Sequence, residues 1–139
     1  MIEFDNRTSF EVDLHLLEKI SYFYTKKDIE LILTTDDEIR EINKQHRNID
    51  TSTDVLSFPY EEMPMSPIGS IIISLNHVHK VAKSLKHSNE DEFTLLFIHG
   101  LLHLLGFDHE VDNGEMREEE LKIIQKFKLP KSLIIRTQG

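Results

Sequence analysis

Three histidines lie in a short segment of the chain with the spacing of metal ligands. His99 and His103 are four residues apart, and His109 follows Gly106 by three residues. Residues four apart project from one face of an α-helix, and a glycine can adopt the positive φ that ends a helix and turns the chain back. The spacing therefore predicts that the three imidazoles reach one metal ion. Three nitrogen ligands with an open fourth position are typical of catalytic zinc, so one Zn²⁺ is the expected cofactor.

The same spacing of histidines and glycine occurs in the metzincin proteases, with one difference. Their signature, H-E-x-x-H-x-x-G-x-x-H, carries the general-base glutamate directly after the first histidine. Gly100 stands at that position here, and glycine cannot accept a proton. The sequence thus argues against a peptidase of this type unless another carboxylate takes over, Asp108 and Glu92 being the nearest candidates. Gly100 itself is explained equally well by close helix packing and by room needed near the ion.

Length and composition limit the class of protein. The chain has 139 residues, of which 39% are hydrophobic and 29% charged, as expected of a single globular domain over residues 1–139. It contains no apolar run of membrane-spanning length and no secretion signal at its first residues, so a cytoplasmic location is expected. It also contains no cysteine, so any zinc must be held by histidine or carboxylate.

The charges are unevenly distributed along the chain. A net charge of −9 argues against non-specific binding of nucleic acid by the whole surface. Two basic groups stand out. The first consists of Arg40, Lys44 and Arg47. The second consists of Lys80, Lys83 and Lys86, with His77, His79 and His87 nearby. Such patches can guide a polyanion to one face, although solvated helix surfaces are the commoner explanation.

Hydrophobic periodicity and capping residues predict an α+β fold in one domain, with a mixed sheet of about four strands packed with about five helices. Strands are predicted at residues 2–6, 28–34, 55–58 and 69–74, and helices at 10–24, 36–46, 75–87, 90–105 and 115–127. Thr8 or Ser9, Thr35 in a capping box, and Ser88 are the predicted helix caps. The histidine segment then ends a helix that is expected to be buried on one side and open on the other. The tail to residue 139 is expected to fray.

Two further motifs accompany the histidine segment. T-S-T-D-V-L-S-F-P occupies residues 51–59, and G-S-I-I-I-S occupies residues 69–74. Together with H-G-L-L-H-L-L-G-F-D-H they resemble, in the same order, the motifs of the YbeY family of bacterial endoribonucleases, also called rRNA maturation factors. The resemblance covers nearly the whole chain. Phe107 stands where the family usually has tyrosine, and Ser70 stands where it usually has aspartate.

The resemblance implies a zinc-dependent endoribonuclease that prefers single-stranded RNA and acts in ribosomal RNA maturation, including 16S rRNA 3′-end processing, and in ribosome quality control. It implies His99, His103 and His109 as zinc ligands, and a functional arginine before the T-D-V-L-S-F-P motif that Arg47 matches. Arg47 and His103 are the predicted catalytic residues. Arg47 is also a predicted RNA contact, as are Lys44 and His77 from the two basic groups. The expected partners are precursor ribosomal RNA and ribosomal or ribosome-associated proteins.

Elementary chemistry is compatible with this activity and leaves several points open. Zinc polarises a phosphoryl oxygen or acidifies a bound water, and arginine pairs two phosphate oxygens. Whether water or a ribose 2′-hydroxyl attacks is not determined by the sequence. Apart from the resemblance, the sequence slightly favours explaining Arg47 as a cation at a helix C-terminus. Asp54 either orients a ligand histidine or, by default, caps a turn.

Two other functions remain open at this stage. The first is a metallohydrolase of another class, such as a peptidase with a displaced base. The second is a ribosome-associated binding module in which zinc is structural.

Overall fold

The computed structural model describes residues 1–130. Its strands are β1 (Ile2–Asn6), β2 (Ile29–Thr34), β3 (Val55–Pro59) and β4 (Gly69–Ser74), and its helices are α1 (Leu14–Tyr22), α2 (Asp36–Arg47), α3 (Leu75–Leu85), α4 (Asn89–Leu104) and α5 (Glu115–Lys126). The predicted α+β class, with a four-stranded mixed sheet and five helices, is confirmed for this part of the chain. The predicted fraying of the tail lies outside the described residues.

The sheet has the strand order β1-β2-β4-β3. Strands β1, β2 and β4 are parallel, and β3 pairs antiparallel with β4 at one edge. Every residue of β4 is buried, as expected for an aliphatic strand in a sheet covered on both faces. The edge strand β3 carries the T-D-V-L-S-F-P motif, so one side of this motif is free to face a site.

Helix α4 forms the centre of the larger hydrophobic core. It contacts β3, β4, α1, α3 and α5, and most of its residues are buried. The exposed side of α4 is therefore narrower than predicted, because other elements pack around most of the helix. His99 and His103 remain partly exposed, so the opening in the packing coincides with the ligand positions.

Gly100 brings α4 close to the sheet. A Cβ atom at this position would lie 2.8 Å from Ile71 Cγ2 and 3.2 Å from Ser57 Oγ. Such distances leave no room for a side chain without moving the helix. Of the two explanations that the sequence left open, the structure supports close packing, which fixes the distance between the histidine helix and β3.

The start of α1 differs from the prediction. Asn6 Nδ2 donates to the Phe10 carbonyl at 2.7 Å, and the Phe10 N–H donates to Thr8 Oγ1 at 3.1 Å. These bonds hold residues 6–10 in a turn that competes with helix formation. The helix therefore begins only after Asp13, whose carboxylate accepts the Leu16 N–H at 3.3 Å, and the predicted cap at Thr8 or Ser9 was wrong.

The other predicted caps gave mixed results. Thr35 precedes α2 but makes no side-chain capping bond, and Glu38 instead accepts hydrogen bonds from Thr34 Oγ1 and Arg7. The predicted capping box was therefore wrong, although the position of the helix start was right. Ser88 caps α4 as predicted, since its Oγ accepts the Asp91 N–H at 3.1 Å. Within residues 1–130, no helix combines the length and apolar character needed to span a membrane.

Candidate metal centre

The three histidines converge at the C-terminal end of α4, as predicted. His99 and His103 project from neighbouring turns of the helix, and Gly106, with φ 101°, turns the chain so that His109 comes back toward them. One nitrogen of each ring lies within 4.8 Å of a nitrogen of the other two. Among the described residues, this is the one group of three histidine, cysteine or acidic side chains with such geometry.

The donor atoms suit a small divalent cation. His99 Nε2 and His103 Nε2 are 3.2 Å apart. Two nitrogens bound to a tetrahedral zinc at about 2.0–2.1 Å lie roughly 3.3–3.4 Å from each other, so little movement is needed for both to ligate. Burial, together with the neighbouring His99 and His109, lowers the pKa of His103. This shift favours the neutral imidazole that a metal requires.

Glu120 on α5 orients the first of these histidines. The Nδ1–H of His99 donates to Glu120 Oε1 at 2.9 Å, and Glu120 is only 7% exposed. The bond places the ring proton on Nδ1 and leaves Nε2, which faces His103, available as a donor to metal. A carboxylate in this position also increases the basicity of the ligating nitrogen.

Glu120 was missed by the sequence analysis, although its position carried a signal. The buried residues of α5 are Met116, Glu120, Ile123 and Ile124. Their spacing is that of one apolar helix face, and an acidic residue within such a face needs a buried partner. Which partner it has could not be determined from local sequence, because His99 is 21 residues away.

The segment between His109 and α5 is fixed by Asp112. Its carboxylate accepts the N–H groups of Gly114 and Met116, both at 2.9 Å. These backbone bonds hold the pKa of Asp112 below its usual range. They define the start of α5 and so help to set the position of Glu120 one turn further along the helix.

The histidines line a cavity of about 490 Å³, which is within the usual size range of small-molecule sites. Arg47 at the end of α2, Ser57 of β3 and the acidic residues Asp54, Asp108 and Glu110 line the same cavity. The structure therefore brings Arg47 to the histidines across more than fifty residues of sequence. Arg47 also occupies the last turn of α2, as expected of a cation at a helix C-terminus, and its contact with phosphate stays a prediction.

Lys44 and His77 are placed differently from Arg47. Neither is among the described residues that line the cavity. Lys44 lies about one turn before Arg47 on α2, and His77 near the start of α3 has its Nδ1 2.7 Å from Asp36 Oδ1. Their contacts with RNA stay predictions.

The carboxylates named as substitutes for a peptidase base differ in access. Glu92 is fully buried, and its Oε1 lies 2.8 Å from His87 Nε2, whereas Asp108 lines the cavity. Asp54 Oδ1 accepts the Val55 N–H at 2.8 Å, and the Asp54 carbonyl accepts the Ser74 N–H at 2.9 Å. These contacts agree with the turn-capping explanation of Asp54, which nevertheless faces the cavity.

Comparisons with known proteins agree on one family. A family model described as Endoribonuclease YbeY matches residues 3–128. The protein named Endoribonuclease YbeY from Sulfurimonas denitrificans is 62% identical over 139 residues, covering 100% of both chains. The proteins of that name from Nautilia profundicola and Helicobacter pylori are 59% and 52% identical, each covering 99% of both chains.

A solved structure is also similar. The solution structure of TM1509 from Thermotoga maritima has a TM-score of 0.67 and 32% sequence identity, and the match covers 91% of this chain and 89% of that chain. Both the family match and this structural match extend over most of the described residues.

Proposed function

The chain belongs to the family of YbeY endoribonucleases, which are hydrolases acting on RNA phosphodiester bonds. We propose that it is a zinc-dependent member of this family and that it cleaves single-stranded RNA during ribosomal RNA maturation. One observation carries the finer part of this proposal. Three imidazole nitrogens lie within 4.8 Å of one another, and the three histidines share a cavity with Arg47. A site for a cation and a group that binds phosphate thus face the same space.

We assign the metal ligands to His99, His103 and His109, and the metal to Zn²⁺. Three histidine nitrogens suit zinc better than Mg²⁺ or Ca²⁺, which prefer oxygen ligands. When bound, zinc would supply a Lewis acid beside the scissile phosphate. Glu120 would keep the His99 ring turned toward the ion, and His103 would contribute a neutral imidazole because its pKa is lowered.

Arg47 is assigned to the phosphate. Its planar guanidinium can donate two parallel hydrogen bonds to phosphate oxygens and stabilise the charge that develops on them during cleavage. Lys44, about one turn earlier on α2, and His77 on α3 would contact the RNA outside the cavity. Both contribute to affinity in this proposal, and neither touches the reacting atoms.

The form of the site supports the proposed preference for single strands. The histidines line a cavity of about 490 Å³. Unpaired nucleotides can splay out of a strand and enter such a cavity, whereas a duplex holds them stacked and paired. The net charge of −9 limits general attraction to RNA, so we propose that ribosomal or ribosome-associated proteins in the cytoplasm help to bring precursor ribosomal RNA to the site.

The test uses purified full-length protein loaded with zinc, and the same RNA sequence as a single strand and as a duplex. We expect cleavage of the single strand, its loss after dialysis against a chelator, and its return with Zn²⁺. Arg47→Ala is expected to lower cleavage by about 10²–10³-fold while zinc content stays unchanged. Cleavage of an unstructured protein by a sample that leaves RNA intact would contradict the proposal and favour a peptidase with a displaced base.

The chemistry of the RNA ends identifies the nucleophile. A 2′,3′-cyclic phosphate among the products would show attack by the neighbouring ribose hydroxyl, and a linear phosphate formed without that intermediate would show attack by water. Mass spectrometry of the products during the first turnovers distinguishes the two.

A further inference from the structure

A second cavity lies next to the metal cavity. It has a volume of about 430 Å³, and Pro59 lines both cavities. Its other walls include Tyr60 and Pro67 from the loop between β3 and β4, Ile68 just before β4, and Leu104 and Leu105 at the end of α4. The two cavities therefore share Pro59 as a wall residue, which brings them next to each other.

The apolar floor of the second cavity depends on Gly69. A Cβ atom at this position would lie 2.6 Å from Leu104 Cδ2 and 2.5 Å from the Phe58 carbonyl oxygen. The bare backbone of Gly69 therefore allows the end of α4 to rest directly on β3 and β4. Because the same helix carries His99 and His103, the floor of the second cavity is held at a fixed distance from the metal centre.

Tyr60 offers a fixed aromatic surface in this cavity. Its side chain is 41% exposed, its N–H donates to the Ile68 carbonyl at 3.0 Å, and its hydroxyl donates to Glu30 Oε2 at 2.7 Å. Burial, with Glu30 adding to the effect, raises the pKa of Tyr60, so the hydroxyl remains a donor. A tyrosine whose backbone N–H and side-chain hydroxyl are both hydrogen-bonded loses little freedom when a planar ligand stacks on its ring.

The charges of the second cavity disfavour a phosphate and suit an uncharged ligand with amino groups. Glu61 and Glu62 line it, and Lys27 is the one cation among the described lining residues. Carboxylates accept hydrogen bonds from the exocyclic amino groups of adenine, cytosine and guanine. Met63 and Met65, on the same loop, are 58% and 102% exposed.

We propose that the second cavity binds the base of a nucleotide adjacent to the scissile phosphate, stacked on Tyr60, with Glu61 or Glu62 as acceptors for its amino group. The division of labour is chemical, because the histidines and Arg47 take the phosphate while the acidic, apolar cavity beyond Pro59 takes the base. This inference rests on the proposed function in assuming an RNA ligand. It assigns a role to a loop that the sequence motifs leave unexplained.

The first experiment measures binding and does not depend on cleavage. Zinc-loaded full-length protein is titrated against a fluorescein-labelled single-stranded 2′-O-methyl RNA, which electrophoresis shows to be intact, and anisotropy gives Kd. Tyr60→Ala is expected to raise Kd about tenfold, and Tyr60→Phe, which keeps the ring, to restore most of the affinity. Tyr22→Ala is the matched control, since Tyr22 is 52% exposed on α1. Equal Kd values for Tyr60→Ala and wild type overturn the inference.

The second experiment locates the base. A series of the same RNA carries one abasic residue at each position in turn. At one position, the abasic residue should raise Kd for wild type but cause no further increase in Kd for Tyr60→Ala. An equal increase in Kd for both proteins would contradict stacking on Tyr60. Unmodified RNA is incubated with wild type in parallel. If it stays intact while binding still depends on Tyr60, cleavage fails as the proposed function and the base site stands.

Discussion

Two histidine–carboxylate pairs flank the same helix and differ in what the second ring nitrogen faces. His99 Nδ1 bonds Glu120 at 2.9 Å, and its Nε2 lies 3.2 Å from His103 Nε2 at the metal cavity. His87 Nε2 bonds Glu92 at 2.8 Å, with the two side chains 2% and 0% exposed, and its Nδ1 has no hydrogen-bond partner among the described residues. The same pair of side chains therefore supports a ligand site in one place and joins α4 to the chain before it in the other.

The histidine–carboxylate bond is common to both pairs. The two environments differ in whether the other ring nitrogen of the histidine faces a cavity or the protein interior. At His99, the carboxylate orients a nitrogen toward a cavity. At His87, both groups are sealed in the core, where their contact compensates for burying polar atoms. Substitutions in the two pairs should therefore affect different quantities, zinc affinity for one pair and the free energy of unfolding for the other.

The largest effect is expected for the histidine at the open side. His103→Ala should reduce zinc content and RNA cleavage to background while the fold is retained, because His103 is partly exposed and its removal leaves the core intact. Zinc analysis, circular dichroism and cleavage assays check this. His15→Ala, at an exposed position of α1, should match wild type in all three. A different result would support a structural zinc in a binding module: His103→Ala unfolds, and the wild-type protein itself cleaves RNA no faster than background.

The sealed pair should affect stability without affecting the metal. His87→Ala removes a buried imidazole from Glu92, and breaking a buried pair of this kind costs about 3–5 kcal/mol of unfolding free energy. Urea denaturation measures this loss, and the zinc affinity of the folded variant should equal that of wild type. The double variant His87→Leu with Glu92→Leu should recover much of the stability. A change in zinc affinity in either variant would break the distinction between the two pairs.

The orienting pair should show the reverse pattern on a smaller scale. Glu120→Gln keeps the shape of the side chain but removes its charge, so zinc affinity should fall about 10- to 100-fold in competition with a chromophoric chelator. In urea denaturation of the zinc-free protein, Glu120→Gln should lower the free energy of unfolding far less than His87→Ala does. Glu119→Gln is the control on the neighbouring position, because the Glu119 carboxylate bonds Tyr24 and Lys122 and not a histidine. Equal losses in Glu119→Gln and Glu120→Gln would show that charge alone matters.

The smallest effect concerns the segment that leads to α5. Backbone N–H groups of Gly114 and Met116 hold the pKa of Asp112 below its usual range. A group with a lowered pKa in the folded state stabilises the protein above its unfolded pKa, near about 3.9 for aspartate, and this contribution disappears as the pH falls through the folded pKa. Asp112→Ala should therefore lower Tm at pH 7, and the difference from wild type should narrow below about pH 4. A difference that is constant with pH would contradict this assignment.

The sequence predicted the elements that depend on local pattern and the convergence of the three histidines that lie close together in the chain. Strand β4 is a continuous aliphatic run, and His99, His103 and His109 are related by helix geometry and a glycine. The start of α1 was misplaced because side-chain bonds from Asn6 and Thr8 override a periodic pattern. Gly100 had two explanations until the position of Ile71 was known.

The partners that come from distant segments could not be predicted. Glu120 is recognisable as an acidic residue in an apolar stripe, but its contact with His99 depends on how α5 docks on α4. Arg47 could be assigned to the site through the family resemblance, whereas periodicity alone gave only a helix C-terminus. The cavity beside Tyr60 is formed by three separate segments, and no local pattern indicates such a space.

The bond between His99 and Glu120 also joins α4 to α5, so an ion bound by His99 would be coupled to the docking of α5. Whatever free energy an ion gains from the oriented ring must appear equally as tighter docking of α5, since linkage is reciprocal. Loss of a bound ion would therefore loosen the docking of α5 on α4.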